Sequence, residues 1–136
     1  MIIQKEIVLK PMHKGFHNID NLIINELGKL PETALLNIFV KHTSAALMIN
    51  ENADPDVRYD INSLLEIMAP GSASFYRHTM EGDDDMPAHF KTAVLGSSIN
   101  IPISNHKLNM GTWQGLFFCE FRNYGGSRKI VLSLYY

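Results

Sequence analysis

The chain has 136 residues, of which 46% are hydrophobic and 19% charged, and its formal net charge at pH 7 is −2. This length and composition predict one folded globular domain, residues 1–136, and exclude a disordered chain. No basic stripe and no apolar run of about 18 residues is present, so we expect neither a nucleic acid nor a membrane as partner.

The first residues predict where the protein resides. Met1–Glu6 lacks the basic region, apolar stretch and cleavage site of a secretory signal, so we expect a cytoplasmic protein. The single cysteine, Cys119, agrees, because no disulfide can form within the chain. It lies in an apolar run without an adjacent activating group, which predicts a buried, inert thiol.

The N-terminal part predicts strands and one helix. Apolar and polar residues alternate over Ile3–Leu9, which predicts a strand that ends at Pro11. Apolar residues at three-to-four spacing predict an amphipathic helix over His17–Leu30. Two short apolar runs, Ala34–Val40 and Ala45–Ile49, predict the second and third strands.

The middle of the chain predicts two helices around a long loop. Asp54-Pro55 is typical of a helix start, with aspartate at the N-cap and proline at the first helical position, and this helix ends before Pro70. Ser72–Asp85 is rich in turn formers and predicts a loop of functional length. Pro87–Leu95 predicts a short helix that projects His89 from its first turn.

The C-terminal part predicts four strands joined by short turns. These are Ser98–Ile103, Lys107–Met110, Gly115–Arg122 and Lys129–Tyr135. About seven strands with two or three flanking helices predict an α+β fold built mainly on antiparallel, sandwich-like sheet.

Polar and ionisable residues concentrate in two segments. His42–Asp56 places such groups at both ends of a short apolar run, and Glu81–His89 adds a second acidic segment with a histidine. Buried without partners, each group would cost a few kcal/mol, so something must compensate them. Together the two segments predict one cation-binding or phosphate-handling site.

Histidines and aspartates are the candidate metal ligands. Three imidazoles, those of His42, His78 and His89, can hold a catalytic zinc ion and leave a position open. The three adjacent carboxylates of Asp83, Asp84 and Asp85 repel one another unless they are solvated or neutralised by a cation such as magnesium. The alternatives are hydrogen-bonded loop histidines and a solvated turn.

Two further features point toward a pocket. Glu51 follows an apolar strand and is a candidate general base if it is partly buried. Gly111–Gly115 allows backbone to approach a ligand closely, although a turn with a core tryptophan explains the same pattern.

Several long motifs in order identify a resemblance to the YjbQ-like family, small proteins described as secondary thiamine-phosphate synthases. The resemblance covers nearly the whole chain. Its motifs are Lys14-Gly15-Phe16-His17, His42-Thr43-Ser44-Ala45, Asn50–Arg58, Glu81–Lys91, Leu95-Gly96 and Gly111–Gly115.

The resemblance implies both an assembly and a reaction. It implies a homotrimer with motif residues near the subunit boundaries. It also implies a weak synthase activity, in which a hydroxymethylpyrimidine diphosphate loses diphosphate and is captured by the nitrogen of a thiazole phosphate. A divalent metal, Mg or Zn, would help the diphosphate depart.

For this phosphorylated small-molecule substrate we hypothesise the following residue roles. Lys91 or Arg58 would offset phosphate charge. The metal ligands would be His42, His78, His89, Asp83, Asp84 and Asp85, and the catalytic residues Glu51, Asn50, His42 and Thr112.

Two other functions stay open. One is zinc-dependent hydrolysis of a small phosphorylated or acylated molecule, with His42, His78 and His89 as ligands and Glu51 as base. The other is a non-enzymatic trimeric binding module, in which the polar motif residues form interface hydrogen bonds.

Overall fold

A computed structural model describes residues 1–136 and contains eight strands and three helices. In chain order they are β1 (Ile2–Leu9), β2 (Gly15–Asn18), α1 (Asp20–Leu27), β3 (Thr33–Val40), β4 (Ala45–Glu51), α2 (Pro55–Met68), α3 (Asp85–Leu95), β5 (Ser98–Ser104), β6 (Lys107–Leu108), β7 (Gln114–Glu120) and β8 (Arg128–Tyr135).

The strands form two antiparallel sheets. The larger has the order β1-β8-β3-β5-β6 and the smaller the order β2-β7-β4. Every pair of neighbouring strands is antiparallel. The predicted α+β class with antiparallel sheet is therefore confirmed.

Two hydrophobic cores lie on the two faces of the smaller sheet. Leu47 and Phe118 join the core that faces the larger sheet, whereas Met48 and Phe117, one position away, join the core beneath α2 and α3. Successive side chains of a strand point to opposite faces, so β4 and β7 are buried on both sides. Three layers result: the larger sheet, the smaller sheet and the pair of helices.

Helix α2 begins as predicted. The carboxylate of Asp54 accepts a hydrogen bond from the backbone N–H of Asp56 at 2.9 Å, and Pro55 occupies the first helical position. This cap satisfies one of the N–H groups that every helix start leaves free. The helix then runs to Met68 and packs Leu65 into the core beneath it.

The predicted helix over His17–Leu30 is wrong at both ends. Residues Gly15–Asn18 pair with β7 as strand β2, and helix α1 covers only Asp20–Leu27. Ile19 lies buried at the junction and donates its N–H to the carbonyl of Leu116, so tertiary pairing overrides the helical spacing at this point.

Two smaller observations complete the fold. Cys119 is fully buried, as predicted, and burial raises the pKa of its thiol. No helix is long and apolar enough to cross a membrane.

The smaller sheet has two ends, which we call the near end and the far end. At the near end, Thr43 and Ser44 precede β4 and Arg122 follows β7. At the far end, Asn52 follows β4 and Thr112 precedes β7. The seven residues of β4 separate the two ends by about 20 Å.

Candidate active site

Three side chains converge beside the near end, and we call them the His–Asp cluster: His78, Asp85 and His89. One nitrogen or oxygen from each lies within 4.8 Å of the others. The Oδ2 atom of Asp85 is 2.5 Å from His78 Nε2 and 3.1 Å from His89 Nε2. Asp85 is only 1% exposed, whereas both imidazoles reach solvent.

Local structure places the three groups. Asp85 is the first residue of α3 and His89 comes one turn later, so both lie on one face of that helix. His78 comes from the long loop between α2 and α3. This loop was expected to carry function, and it contributes one of the three converging groups.

The imidazole of His89 has a defined hydrogen position. Its Nδ1 is 2.8 Å from the carbonyl oxygen of Thr43, and because a carbonyl only accepts, Nδ1 must donate. In the neutral ring the lone pair is then on Nε2, which faces the carboxylate of Asp85. Two acceptors at this separation repel, so the contact is favourable when a proton or a cation lies between them.

Arg122 joins the cluster to the segment that precedes it. Its Nη1 donates to Asp85 Oδ1 at 2.5 Å and its Nε donates to Asp84 Oδ2 at 3.0 Å. Its Nη2 donates to the carbonyl of Glu81 at 2.9 Å. One guanidinium therefore bridges two adjacent carboxylates, offsets part of their negative charge and fixes the start of α3.

The charges around Asp85 keep it ionised. Burial by itself would raise the pKa of this carboxyl, but hydrogen bonds with His78 and Glu81, followed by the positive charges of His89 and Arg122, outweigh burial and lower the pKa below its usual value. Asp84 behaves similarly: burial opposes ionisation, and hydrogen bonds from Asn123 and Arg122 lower its pKa.

A buried ion pair supports this end of the sheet. Arg128 Nε and Nη2 donate to the two carboxylate oxygens of Glu120 at 2.7 and 2.6 Å. Glu120 is fully buried and also accepts from the backbone N–H of Arg122. Arg128 donates to the carbonyl of Ser44. The pair thereby ties the end of β7 to the start of β4.

The aspartate run does not act as one site. Asp83 is exposed, Asp84 binds Arg122 and the N–H of Asn123, and only Asp85 reaches the histidines. Successive residues at a helix start point about 100° apart, so three in a row cannot face one ion. Of the three predicted carboxylate ligands, the structure brings only Asp85 to the histidines.

His42 lies beside the cluster but has another partner. Its Nε2 accepts the backbone N–H of Lys129 at 2.8 Å, so Nδ1 carries the hydrogen and no lone pair is free for a metal. Burial, followed by the positive charge of Arg128, lowers the pKa of His42 and favours this neutral form. The structure therefore groups His78 and His89 with Asp85, and His42 is not a member of this group.

The other predicted catalytic residues lie at the far end. Asn50 and Glu51 end β4, and Thr112 lies opposite them just before β7. The carboxylate of Glu51 accepts the N–H of Asp54 at 2.8 Å, which is a turn contact. Within one subunit, this group is about 20 Å from the His–Asp cluster and cannot act on the same atom.

The two predicted phosphate-binding cations are also remote from the cluster. Arg58 donates to the carbonyl of Glu51 at 3.2 Å, which places it toward the far end. Lys91 is 1% exposed and donates to Glu66 at 2.6 Å. It comes two residues after His89, about 200° around α3, so it lies on another face of the helix.

Three cavities surround the His–Asp cluster. His78 opens onto an apolar cavity of about 410 Å³ with Met68, Phe75, Arg77 and Phe90 in its wall. It also borders a polar cavity of about 280 Å³ formed by the loop before α3. A third, of about 360 Å³, lies between His89 and His42.

These residues have the donor chemistry of a divalent metal site. Two imidazole nitrogens and one carboxylate oxygen form a three-ligand set of the kind that holds zinc or a similar ion with open positions. Sequence patterns did not indicate Arg77, and they did not predict that Arg122 binds the aspartates. An arginine directly after a buried strand, with two aspartates needing a counter-charge, is the signal for Arg122.

Known proteins resemble this chain along its whole length. The profile of the family described as UPF0047 protein YjbQ-like matches residues 5–136. The UPF0047 protein YjbQ of Escherichia coli O157:H7 is 40% identical over 98% of both chains, and that of Salmonella typhimurium is 44% identical over the same shares.

Solved structures share the fold. A conserved hypothetical protein from Thermus thermophilus is 30% identical with a TM-score of 0.81, over 93% of this chain and 97% of its own. A Clostridium acetobutylicum protein of the YjbQ/UPF0047 family is 39% identical with a TM-score of 0.79, over the same shares. A YjbQ-like protein of unknown function from Sulfolobus solfataricus, 24% identical over 98% of this chain and 96% of its own, supports the fold alone, with a TM-score of 0.83.

Proposed function

The chain belongs to the UPF0047 YjbQ-like family, and from that premise we propose that it is a divalent-metal-dependent enzyme of the secondary thiamine-phosphate synthase type. In the proposed reaction, the C–O bond of a hydroxymethylpyrimidine diphosphate breaks and its electron pair leaves on the diphosphate. The nitrogen of a thiazole phosphate then forms the new C–N bond to the same carbon.

One observation carries the metal dependence. Two imidazole nitrogens, His89 Nε2 at 3.1 Å and His78 Nε2 at 2.5 Å, converge on the same carboxylate oxygen of Asp85. A divalent ion bound among these three donors would offset negative charge on the departing diphosphate. Because two of the three donors are imidazoles, the set favours zinc over magnesium.

The surrounding residues support an organic diphosphate as substrate. The apolar cavity beside His78 has the volume of a small ligand pocket, and Phe75 and Phe90 offer aromatic faces to a pyrimidine ring. Arg77 in the same wall offers a charge partner for phosphate oxygens. Arg122 keeps Asp85 ionised and oriented.

A hydrolytic reaction is the second candidate, because a possible base lies close to the cluster. Glu81 Oε2 is 3.8 Å from His78 Nε2 and largely exposed. A carboxylate at this position is placed to take a proton from an attacking water. The same diphosphate would then leave, with water in place of the thiazole nitrogen as nucleophile.

We propose further that the active unit is a homotrimer whose subunits bring the near end of one chain to the far end of another. Two observations support this. Glu51 and Thr112 lie about 20 Å from the cluster of their own subunit. In addition, the outer faces of α2 and α3 expose apolar side chains, among them Ile67 at 77% and Val94 at 49%, as protein interfaces do.

Metal content and turnover, measured on the same variants, test the proposal. We expect the purified protein to retain about one zinc-type ion per subunit through dialysis and to couple the two phosphorylated substrates. His89→Ala should lose both the ion and the activity. His106→Asn is the matched control, because His106 also donates its Nδ1 to a carbonyl, that of Leu30, outside the cluster.

Two results would contradict the proposal. The first is full coupling activity by His89→Ala. The second is undiminished turnover of the wild-type protein after chelation has removed every metal ion. Release of pyrimidine alcohol without coupling would instead assign the site to the hydrolytic candidate.

A further inference from the structure

A polar groove lies between the segment before β2 and the outer side of α2. Its volume is about 450 Å³, and its wall includes Lys14, Phe16, Arg58, Asn62 and Glu66. Arg58, Asn62 and Glu66 recur every four residues, so they form one row along α2.

The ionic groups of this groove do not balance. Glu66 Oε1 accepts from Lys14 Nζ at 2.8 Å and from Lys91 Nζ at 2.6 Å, so two ammonium groups share one carboxylate oxygen. Lys91 is almost fully buried beneath the groove, where an unneutralised charge is costly. Neither lysine has another carboxylate within 4.0 Å.

Arg58 adds a third positive charge without adding a carboxylate. Its guanidinium donates to the neutral carbonyl of Glu51 and lies 5.1 Å from the centre of the Phe117 ring. It takes part in none of the ion pairs of this structure. The groove wall therefore holds two cations, Lys14 and Arg58, and one carboxylate, which leaves a surplus of positive charge, and the buried ammonium of Lys91 adds to it from beneath.

We infer that this groove binds the phosphate group of a small molecule at a site separate from the His–Asp cluster. Arg58 would supply paired N–H donors, Lys14 a point charge, and the amide of Asn62 a neutral donor. The inference goes beyond the proposed function, since the site needs no metal and lies between α2 and the start of β2, away from the His–Asp cluster.

A phosphate fits this chemistry better than a long polyanion does. The surplus is confined to one groove, and the whole chain carries a net charge of −2, which repels a polyanion elsewhere. Glu66 offsets only part of this surplus, because both lysines donate to its single Oε1 atom.

Calorimetric titration with inorganic phosphate, in buffer containing a metal chelator, tests the inference. We expect saturable binding at one site per subunit, weakened about tenfold in Arg58→Gln and in Lys14→Met. Lys5→Met is the matched control, because Lys5 forms a similar ion pair, with Glu26 at 2.7 Å, away from the groove. Lys5→Met should bind phosphate as the wild type does.

Glu66→Gln gives a test of opposite sign. Removing this carboxylate leaves the buried ammonium of Lys91 without its partner, so the variant should be less stable, yet phosphate should bind it more tightly. Phosphate should therefore raise the melting temperature of Glu66→Gln by more than it raises that of the wild type.

His89→Ala separates this site from the proposed enzyme. It should lose activity but bind phosphate normally. Loss of phosphate binding in His89→Ala, equal binding by Arg58→Gln and wild type, or no binding by the wild type would each overturn the inference.

Discussion

Asp85 is the residue on which the candidate site depends, because a single buried carboxylate serves three partners. One oxygen faces His78 and His89, and the other accepts from Arg122. Buried charges persist only where partners compensate them, and here the compensation is shared among groups from three parts of the chain.

Replacing Asp85 should therefore cost stability as well as activity. We expect Asp85→Asn to lower the free energy of unfolding by about 2 kcal/mol in chelator, because Arg122 then faces a neutral amide. Asp83→Asn should change it by less than about 0.5 kcal/mol, since Asp83 is exposed and has no side-chain partner. Urea denaturation of both variants measures the difference, and equal values would contradict the role given to Asp85.

His42 predicts a pH dependence of stability. Its pKa is lowered in the folded protein, by burial and then by Arg128, so the unfolded chain binds the proton more readily. Its stabilising contribution is complete above the unfolded pKa of about 6.5 and is lost as the pH falls through the lower folded value. We expect His42→Gln to flatten this part of the stability curve, in urea unfolding from pH 7.5 to about pH 5. An unchanged slope would contradict it.

Residue patterns predict which ionisable side chains lie near the site better than they predict the hydrogen-bond partners of those side chains. His78, His89 and Asp85 were chosen from chemistry, and the structure brings them together. His42 had the same appearance in sequence, but its ring nitrogen accepts the N–H of Lys129, 87 residues away. Such a contact leaves no mark in local sequence.

At the level of elements, the start of helix α3 decides which acidic residue faces the histidines. The helix begins at Asp85 and not at Pro87, as was predicted, so Asp85 and His89 share one face. Proline in the first turn is compatible with either start, because the N–H it lacks has no partner in the helix. The helix thus starts two residues earlier than the sequence predicts, and this start places Asp85 on the same face as His89.

The sequence predicts the long strands with regular burial correctly, but it does not predict the short strand β2. The alternation over Ile3–Leu9 and the apolar run over Ala34–Val40 both correspond to strands. Strand β2 has only four residues, of which two are Gly15 and His17, and its pairing with β7 comes from tertiary contact.

The connection between β7 and β8 packs closely against the buried ion pair of Glu120 and Arg128. A Cβ atom at Gly125 would lie 2.2 Å from Glu120 Oε1 and 2.7 Å from Arg128 Nη2. We therefore expect Gly125→Ala to lower the free energy of unfolding by about 3 kcal/mol, because the buried ion pair must separate.

Gly71→Ala is the control for this prediction. Its nearest contact would be the carbonyl of Asp83 at 3.7 Å, an ordinary packing distance, and its backbone is not in the left-handed region. Chemical denaturation should show little change for Gly71→Ala. Equal stability of the two alanine variants would mean that the connection moves freely off Glu120.

In the whole molecule, the predicted site residues are divided between the two ends of the smaller sheet. His42 and Glu51 are nine residues apart in sequence, which suggested one pocket, but an extended strand carries them to opposite ends. Sequence proximity misleads here because a strand advances about 3.3 Å per residue, more than twice the rise of a helix.

Mixed assemblies test whether the ends meet between subunits. If each site combines the near end of one subunit with the far end of another, His89→Ala and Glu51→Gln subunits refolded together should recover activity that neither variant shows alone. Mixing either variant with itself is the control. Failure to recover activity in confirmed mixed trimers would place each working site within one subunit.

Trp113 offers a reporter for one of these ends. It is the only tryptophan of the chain, it is 64% exposed, and it lies beside Thr112 at the far end. Its emission spectrum therefore responds to whatever covers that surface, whether a neighbouring chain or a small molecule. The His–Asp cluster of the same chain is about 20 Å away, so a change in emission when that cluster is occupied would come from the cluster of a neighbouring chain.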